Sequence, residues 1–145
     1  MITYKCEVCG HVEFNAAPEK CLVCRADGSA FIEDAAAINL PADAANLTEA
    51  EKKHVPQIVV VKDCGLLDAC TDVHVKVGEI PHVMTDAHFI SYIDAYVDDA
   101  YISRIWLSPA GCNAGVGFHL SVSSGKFTAV EGCNVHGAWM AEVQL

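Results

Sequence analysis

Positive charge is scarce in this chain. Lys and Arg together number 9 against 19 Asp and Glu in 145 residues, for a formal net charge of −10. Nucleic acid and anionic membrane surfaces both recruit a basic footprint, so neither is expected as a partner. No apolar run approaches the roughly 18 residues of a membrane helix, and no charged-then-apolar leader opens the chain. The expectation is a cytoplasmic protein without a membrane span. Aromatic residues reach only 8% and no internal repeat is visible, but hydrophobic residues make up 52%. That is enough to bury a core and too much for a disordered chain. The excess lies in soft ligands, with eight cysteines and seven histidines. Without an export signal, paired cysteines point to metal before disulfides.

Two textures divide the chain. Residues 1–32 are short of aliphatics and hold four of the eight cysteines, whereas residues 54–145 read as successive β-strands. Between them, residues 33–53 are Ala-rich and apolar-poor and read as a linker. One helical turn is expected there, because Thr48-x-x-Glu51 has capping-box spacing. Strands are predicted at Gln57–Lys62, Asp72–Val77, Phe89–Val97, Tyr101–Leu107, Val116–Val122, Lys126–Val130 and Gly137–Val143. Val73, Val75 and Val77 alternate with Asp72, His74 and Lys76, the period of a half-buried strand. Turn residues such as Asp98-Asp99 and Ser123-Ser124-Gly125 separate the runs. Seven short strands with little helix predict a mainly β protein: an immunoglobulin-like seven-stranded β-sandwich behind a small metal-binding domain.

Cys6-x-x-Cys9 and Cys21-x-x-Cys24 form two knuckles eleven residues apart. Each CxxC turn sets two sulfurs on one side of a tight loop, and two such loops close a tetrahedral cage of four sulfurs. Such a cage holds iron or zinc alike. The stretch Tyr4-Lys5-Cys6-Glu7-Val8-Cys9-Gly10, with Pro18-Glu19-Lys20-Cys21 downstream, resembles the rubredoxin-like domain of rubrerythrins. The resemblance implies an Fe(Cys)4 one-electron site on Cys6, Cys9, Cys21 and Cys24. The second knuckle departs from that pattern, with Leu22 where proline is usual and Arg25 where glycine is usual.

In the second segment His54-Val55-Pro56 opens the first strand, and the proline holds Val55 extended. His82 and His88 lie six apart, which shares no helix face and on a strand would set them roughly 20 Å apart, so they can converge only from a loop. Cys133-x-x-His136 sits between Gly132 and Gly137, a turn able to aim both side chains at one point. Nitrogen-rich ligation with one thiolate suits a redox transition metal better than calcium or magnesium.

Taken together, Lys53-His54-x-Pro56, His82-x5-His88 and Cys133-Asn134-Val135-His136-Gly137 resemble the superoxide reductase family of neelaredoxins and desulfoferrodoxins over residues 53–145. The resemblance implies an immunoglobulin-like sandwich with an Fe(His)4Cys centre on His54, His82, His88, His136 and Cys133. It implies reduction of superoxide to hydrogen peroxide, with an external electron donor such as a rubredoxin or its reductase, and a homodimer. Lys53 matches the family's catalytic lysine, which attracts the anionic substrate. Lys52 stands where many members have a glutamate, so no glutamate sixth ligand is expected, and Pro81 precedes His82 instead of following it.

His74 and His119 fall on the polar side of alternating strands and read as surface residues. Cys64, Cys70 and Cys112 read as free structural thiols, with pairing of Cys64 and Cys70 under oxidation as an alternative. Two rival functions stay open at this point: a non-catalytic iron electron carrier, and a zinc-stabilised binding module.

Overall fold

The computed structural model describes all residues, Met1–Leu145. The chain opens with β1 (Thr3–Cys6), β2 (Val12–Phe14), β3 (Phe31–Glu33), β4 (Ile38–Asn39) and the one-turn helix α1 (Glu51–His54). Each of the seven predicted strands then forms: β5 (Pro56–Val61), β6 (Thr71–Val77), β7 (Ile90–Val97), β8 (Ala100–Trp106), β9 (Gly115–Leu120), β10 (Lys126–Cys133) and β11 (Gly137–Gln144). No helix is long and apolar enough to cross a membrane.

Three sheets result, ordered β2-β1-β3, β5-β6-β9 and β4-β11-β10-β7-β8. The last two face each other as the sandwich. Their interior holds Val73, Val75 and Val77 of β6 and Phe118 and Leu120 of β9 against Ile93, Ala95, Phe127, Ala129 and Cys133 of β7 and β10. The alternation read in β6 is thus the alternation of core and solvent. The β7–β8 hairpin turns at Asp98 and Asp99, which take φ of 49° and 66° as a two-residue hairpin loop requires.

β7 and β10 break the alternating pattern because both of their faces are covered. The outer face packs Tyr96 and Val130 against Val12 and Phe14 of the N-terminal sheet and against Ala37 and Ile38. The 33–53 segment, read as a linker, therefore contributes structure at both ends. β4 adds to the edge of β11 in parallel register, and α1 starts where the capping box predicts a turn. Thr48 N–H donates to Glu51 Oε2 at 2.7 Å, and Glu51 N–H donates back to Thr48 Oγ1 at 3.3 Å.

Candidate metal centres

The two CxxC turns repeat one backbone pattern. Gly10 N–H donates to Cys6 O at 2.9 Å and Arg25 N–H to Cys21 O at 3.0 Å. Cys6 N–H reaches His11 O and Cys21 N–H reaches Ala26 O, both at 2.8 Å. Gly10 and Arg25 both lie in the left-handed region, at φ of 72° and 65°. Arg25 thus takes the conformation of the glycine it replaces. The turns bring Cys6 Sγ to 3.8 Å from Cys24 Sγ and Cys9 Sγ to 3.6 Å from Cys21 Sγ. A metal–sulfur bond of about 2.3 Å separates the corners of a tetrahedron by about 3.8 Å, so the four thiols fit a tetrahedral ion without moving far. Burial pushes the Cys9 and Cys21 thiols up, whereas the backbone N–H of Ala26 pulls Cys24 down to about 7. Cys6 and Cys21 are fully buried, which closes this cage from solvent on its inner side.

The second cluster is assembled from three separate segments. Gly78, at φ 82°, ends β6 in a turn packed on α1, where a Cβ would collide with the carbonyl oxygens of Lys52, Lys53 and Ile80. Ile80 N–H bonds Lys52 O at 3.0 Å and His82 N–H bonds Val77 O at 3.2 Å, so this turn fixes His82 relative to His54. His88 closes a tight turn from Thr85, with His88 N–H on Thr85 O at 3.1 Å. Asn134, between Cys133 and His136, joins their loop to that turn. Its Oδ1 accepts from Phe89 N–H at 2.9 Å and its Nδ2 donates to Ala87 O at 3.1 Å.

The four imidazoles stand at the corners of a near-square. Neighbouring ring centroids are 4.8 Å (His54–His82), 4.6 Å (His82–His88), 4.8 Å (His88–His136) and 4.9 Å (His136–His54) apart. The His54–His88 diagonal is 6.4 Å. Cys133 Sγ lies 3.7 Å from His82 Nε2 and 3.8 Å from His136 Nδ1. The backbone N–H groups of Val135 and His136 each donate to that sulfur at 3.4 Å, which favours the thiolate, while burial and then the nearby Glu131 raise the thiol.

The outer nitrogens are held so that the inner ones face the centre. His82 Nδ1 bonds Val83 O at 2.7 Å, and His54 Nδ1 meets Glu131 Oε1 at 3.2 Å. Burial, followed by the neighbouring imidazoles, lowers His82 to about 4, so it is a neutral donor at physiological pH. His88 Nε2 is buried without any hydrogen-bond partner. An orphaned imidazole nitrogen among three other rings and a thiol is the signature of a metal ligand. The donor set of four nitrogens and one sulfur fits a redox transition metal such as iron.

A cavity of about 470 Å³ opens over this cluster. All four histidines line it, with Lys53, Ile80, Pro81, Val83 and Trp139, but Cys133 does not. The open face therefore lies across the histidine square from the thiol. Trp139 stacks on His54 at 5.5 Å and 14°. Lys52 is paired with Glu49 at 3.3 Å, which leaves Lys53 as the cation on the cavity wall. Glu51 is absent from that wall, its carboxylate being engaged by the cap.

Several supporting residues escape a reading of motifs. Glu131, fully buried and pushed up to about 9 by burial, orients His54. Between the two clusters, Asp94 accepts from Arg104 Nε at 2.5 Å and Nη2 at 2.7 Å, with His11 Nδ1 at 3.2 Å. Arg104 Nη1 in turn donates to Cys9 O at 2.8 Å. The guanidinium lies 3.6 Å over the Tyr92 ring, Tyr92 Oη donates to Gly10 O at 3.2 Å, and the same ring covers Gly132, next to Cys133. The sequence signals were an acid at the centre of each of two apolar strands, Asp94 and Glu131, and an arginine directly across from Asp94.

Comparison with known proteins is consistent with these centres. The family model described as Desulfoferrodoxin matches residues 46–142, and that of the rubrerythrin, rubredoxin-like domain matches residues 4–32. A desulfoferrodoxin of Desulfarculus baarsii is 32% identical over 141 residues, covering 96% of this chain and 94% of its own. A superoxide reductase of Pyrococcus abyssi is 35% identical, over 65% of this chain and 88% of its own. Among solved structures, a superoxide reductase from Nanoarchaeum equitans superposes with a TM-score of 0.57 at 25% identity, covering 68% of this chain and 97% of its own. One from Treponema pallidum, also at 0.57 but 21% identical, shares the fold over 90% of this chain and 92% of its own.

Proposed function

We infer that this chain, which belongs to the desulfoferrodoxin family, is a superoxide reductase with two mononuclear iron centres. In the reaction one superoxide takes up one electron and two protons and leaves as hydrogen peroxide. The carrying observation is the five-donor cluster, whose histidine square opens to a cavity on the side away from its thiol. We assign His54, His82, His88, His136 and Cys133 as the ligands of the catalytic iron, and Cys6, Cys9, Cys21 and Cys24 as those of the second iron. Bound there, the catalytic iron supplies the electron. A non-catalytic electron carrier would need the open face covered, and a zinc-stabilised binding module would have no use for four convergent imidazoles lining an open cavity.

The chain's own residues prepare the substrate. Superoxide is an anion approaching a protein of charge −10, so a local cation must outweigh the overall field. Lys53, on the cavity wall and free of an acidic partner, supplies it and, as the cation of that wall, orients a proton-bearing water. Ile80, Pro81, Val83 and Trp139 narrow the approach with apolar surface. Val83 O and Glu131 hold two of the imidazoles in their ligating orientation.

The second centre serves electron entry. Arg104 and Tyr92 make a continuous contact path from Cys9 O to Gly132, beside Cys133. The assignment divides the chain into a rubredoxin-like module at 1–32, a connecting segment at 33–53 and the iron-binding sandwich at 54–145. Electrons come from a soluble donor of the rubredoxin type, and the protein works as a cytoplasmic homodimer.

The test is superoxide consumption by the reduced, iron-loaded chain, followed by pulse radiolysis beside metal analysis. Lys53→Ala should keep both irons and lower the second-order rate by about tenfold or more, with a flatter dependence on salt. An unchanged rate and salt dependence would remove Lys53 from this role. Failure of the iron-loaded parent to consume superoxide would remove the activity itself.

A further inference from the structure

Far from both centres, the loop joining β5 and β6 gathers a third set of soft ligands. Cys64 lies just past β5, Cys70 just before β6, and Asp72 faces His119 directly across β6 and β9. Asp72 and His119 point away from the sandwich core, since Val73, Phe118 and Leu120 are the residues facing inward. The register places this cluster at one end of the sheet and the catalytic cluster at the other. Pro56, next to the His54 end, pairs with Val77, whereas Val61 pairs with Asp72. The five residue steps from Asp72 to Val77 span roughly 17 Å of strand.

Four different side chains converge here on one point. His119 Nδ1 lies 2.7 Å from Asp72 Oδ1, 3.3 Å from Cys64 Sγ and 3.7 Å from Cys70 Sγ, and Cys70 Sγ lies 3.5 Å from Asp72 Oδ1. All four donor atoms fall within 4.8 Å of one another, as they do in the four-cysteine cage. A single imidazole nitrogen carries one proton or one lone pair, so hydrogen bonding cannot satisfy three polar atoms around it. A cation can, and two thiolates, an imidazole and a carboxylate are the ligand types of a tetrahedral zinc site. Sulfur–nitrogen separations of 3.3 and 3.7 Å already match the edges of such a tetrahedron. Of these four separations only the Asp72–His119 pair must open, by about half an ångström, as its hydrogen bond is exchanged for two metal bonds.

We propose that Cys64, Cys70, Asp72 and His119 form a third metal site that binds a zinc-class divalent cation and staples the β5–β6 loop to the outer sheet. Binding releases the two thiol protons and changes no oxidation state, so the site is structural rather than redox-active. Cys70 is buried and the His119 side chain is 42% exposed, so the ion has a path of entry from solvent. This site does not depend on the reductase assignment, because no residue is shared with either iron centre.

The test uses the full iron-loaded chain, reduced and free of oxygen, with zinc as the probe and metal analysis after desalting. The expected result is one zinc per chain retained with the iron content unchanged, and protection of Cys64 and Cys70, but not Cys112, from alkylation. Cys64→Ser and His119→Gln should each lose the zinc and leave both iron spectra intact. Cobalt in place of zinc should give a thiolate charge-transfer band that both variants lack. The proposal is overturned if Cys64 and Cys70 alkylate equally fast with and without zinc. It is also overturned if both variants retain the zinc, or if the reduced protein holds a Cys64–Cys70 disulfide. The alkylation comparison needs only the parent chain, so it decides the matter even where a variant misfolds.

Discussion

The two iron centres use donors at the same spacing and are built in opposite ways. In the four-cysteine cage each pair of ligands is set by one turn of a few residues, and the two turns repeat each other bond for bond. In the histidine-rich centre no two imidazoles come from one turn. Their positions depend on Gly78 against α1, on Asn134 between two loops, and on Glu131 reaching from the centre of β10. The consequence is functional. A cage that closes on itself is saturated by its own ligands and suits storage and passage of an electron. A square with its fifth donor on one side leaves the other side open to a substrate. What joins these two designs is a buried ionic network, Asp94 with Arg104 and His11, sitting between them.

Breaking that junction should have the largest effect. Asp94→Ala leaves the Arg104 guanidinium buried, its side chain only 2% exposed, with no counter-charge. Removing one partner of a buried pair costs about 3–5 kcal/mol. The expected outcome is a loss of that size in denaturant unfolding, with both iron spectra retained in the folded protein. A loss below about 1 kcal/mol would mean that the two modules touch without supporting each other.

Glu131→Gln tests the assembled centre alone. Glutamine keeps the shape and an oxygen for His54 Nδ1, but it puts an unpartnered N–H2 where the second carboxyl oxygen is buried, and it cannot ionise when a cation binds the imidazole. Iron affinity of the histidine-rich centre should fall by about tenfold, within the range for such outer contacts, and that of the four-cysteine cage should not change. Chelator competition followed at the two visible bands separates the sites. Equal weakening of both would show that Glu131 acts on the fold rather than on His54.

The same contrast explains how much was legible beforehand. Local geometry reads directly: the CxxC knuckles, the Thr48–Glu51 box, the Asp98-Asp99 hairpin and the alternation of β6 all depend on residues a few positions apart. The convergence of the histidine-rich cluster was legible only through resemblance, since spacing did not say that His82 and His88 meet His54. Strand β10 extends to Cys133, past the expected Val130, because Glu131 and Gly132 continue the pairing with β11 although neither is apolar. Glu131 is buried there against His54, and Gly132 makes room for the Tyr92 ring. The burial of β7 and β10 on both faces, and the entry of β4 into the sheet, follow from docking of the N-terminal module. No local pattern carries that information.

The smallest effect sharpens the comparison from the other side. Arg25 holds the left-handed conformation at 65° that its counterpart Gly10 holds at 72°. For a residue with a Cβ this costs about 1–2 kcal/mol, partly offset because glycine loses more chain entropy on folding. Arg25→Gly should therefore raise stability by about 0.5–1 kcal/mol, read as a small upward shift in the thermal midpoint. If the knuckles are equivalent, Gly10→Arg should cost a similar amount, since a Cβ at Gly10 meets only Tyr92 Oη, at an ordinary 3.6 Å. A clearly larger cost at Gly10 would break the equivalence. It would assign the difference to the bonds of Tyr92 to Gly10 O and of Arg104 to Cys9 O, which tie only the first knuckle to the sandwich. The closed cage would then be local in its ligands but anchored, on one side, by the same non-local contacts that build the open centre.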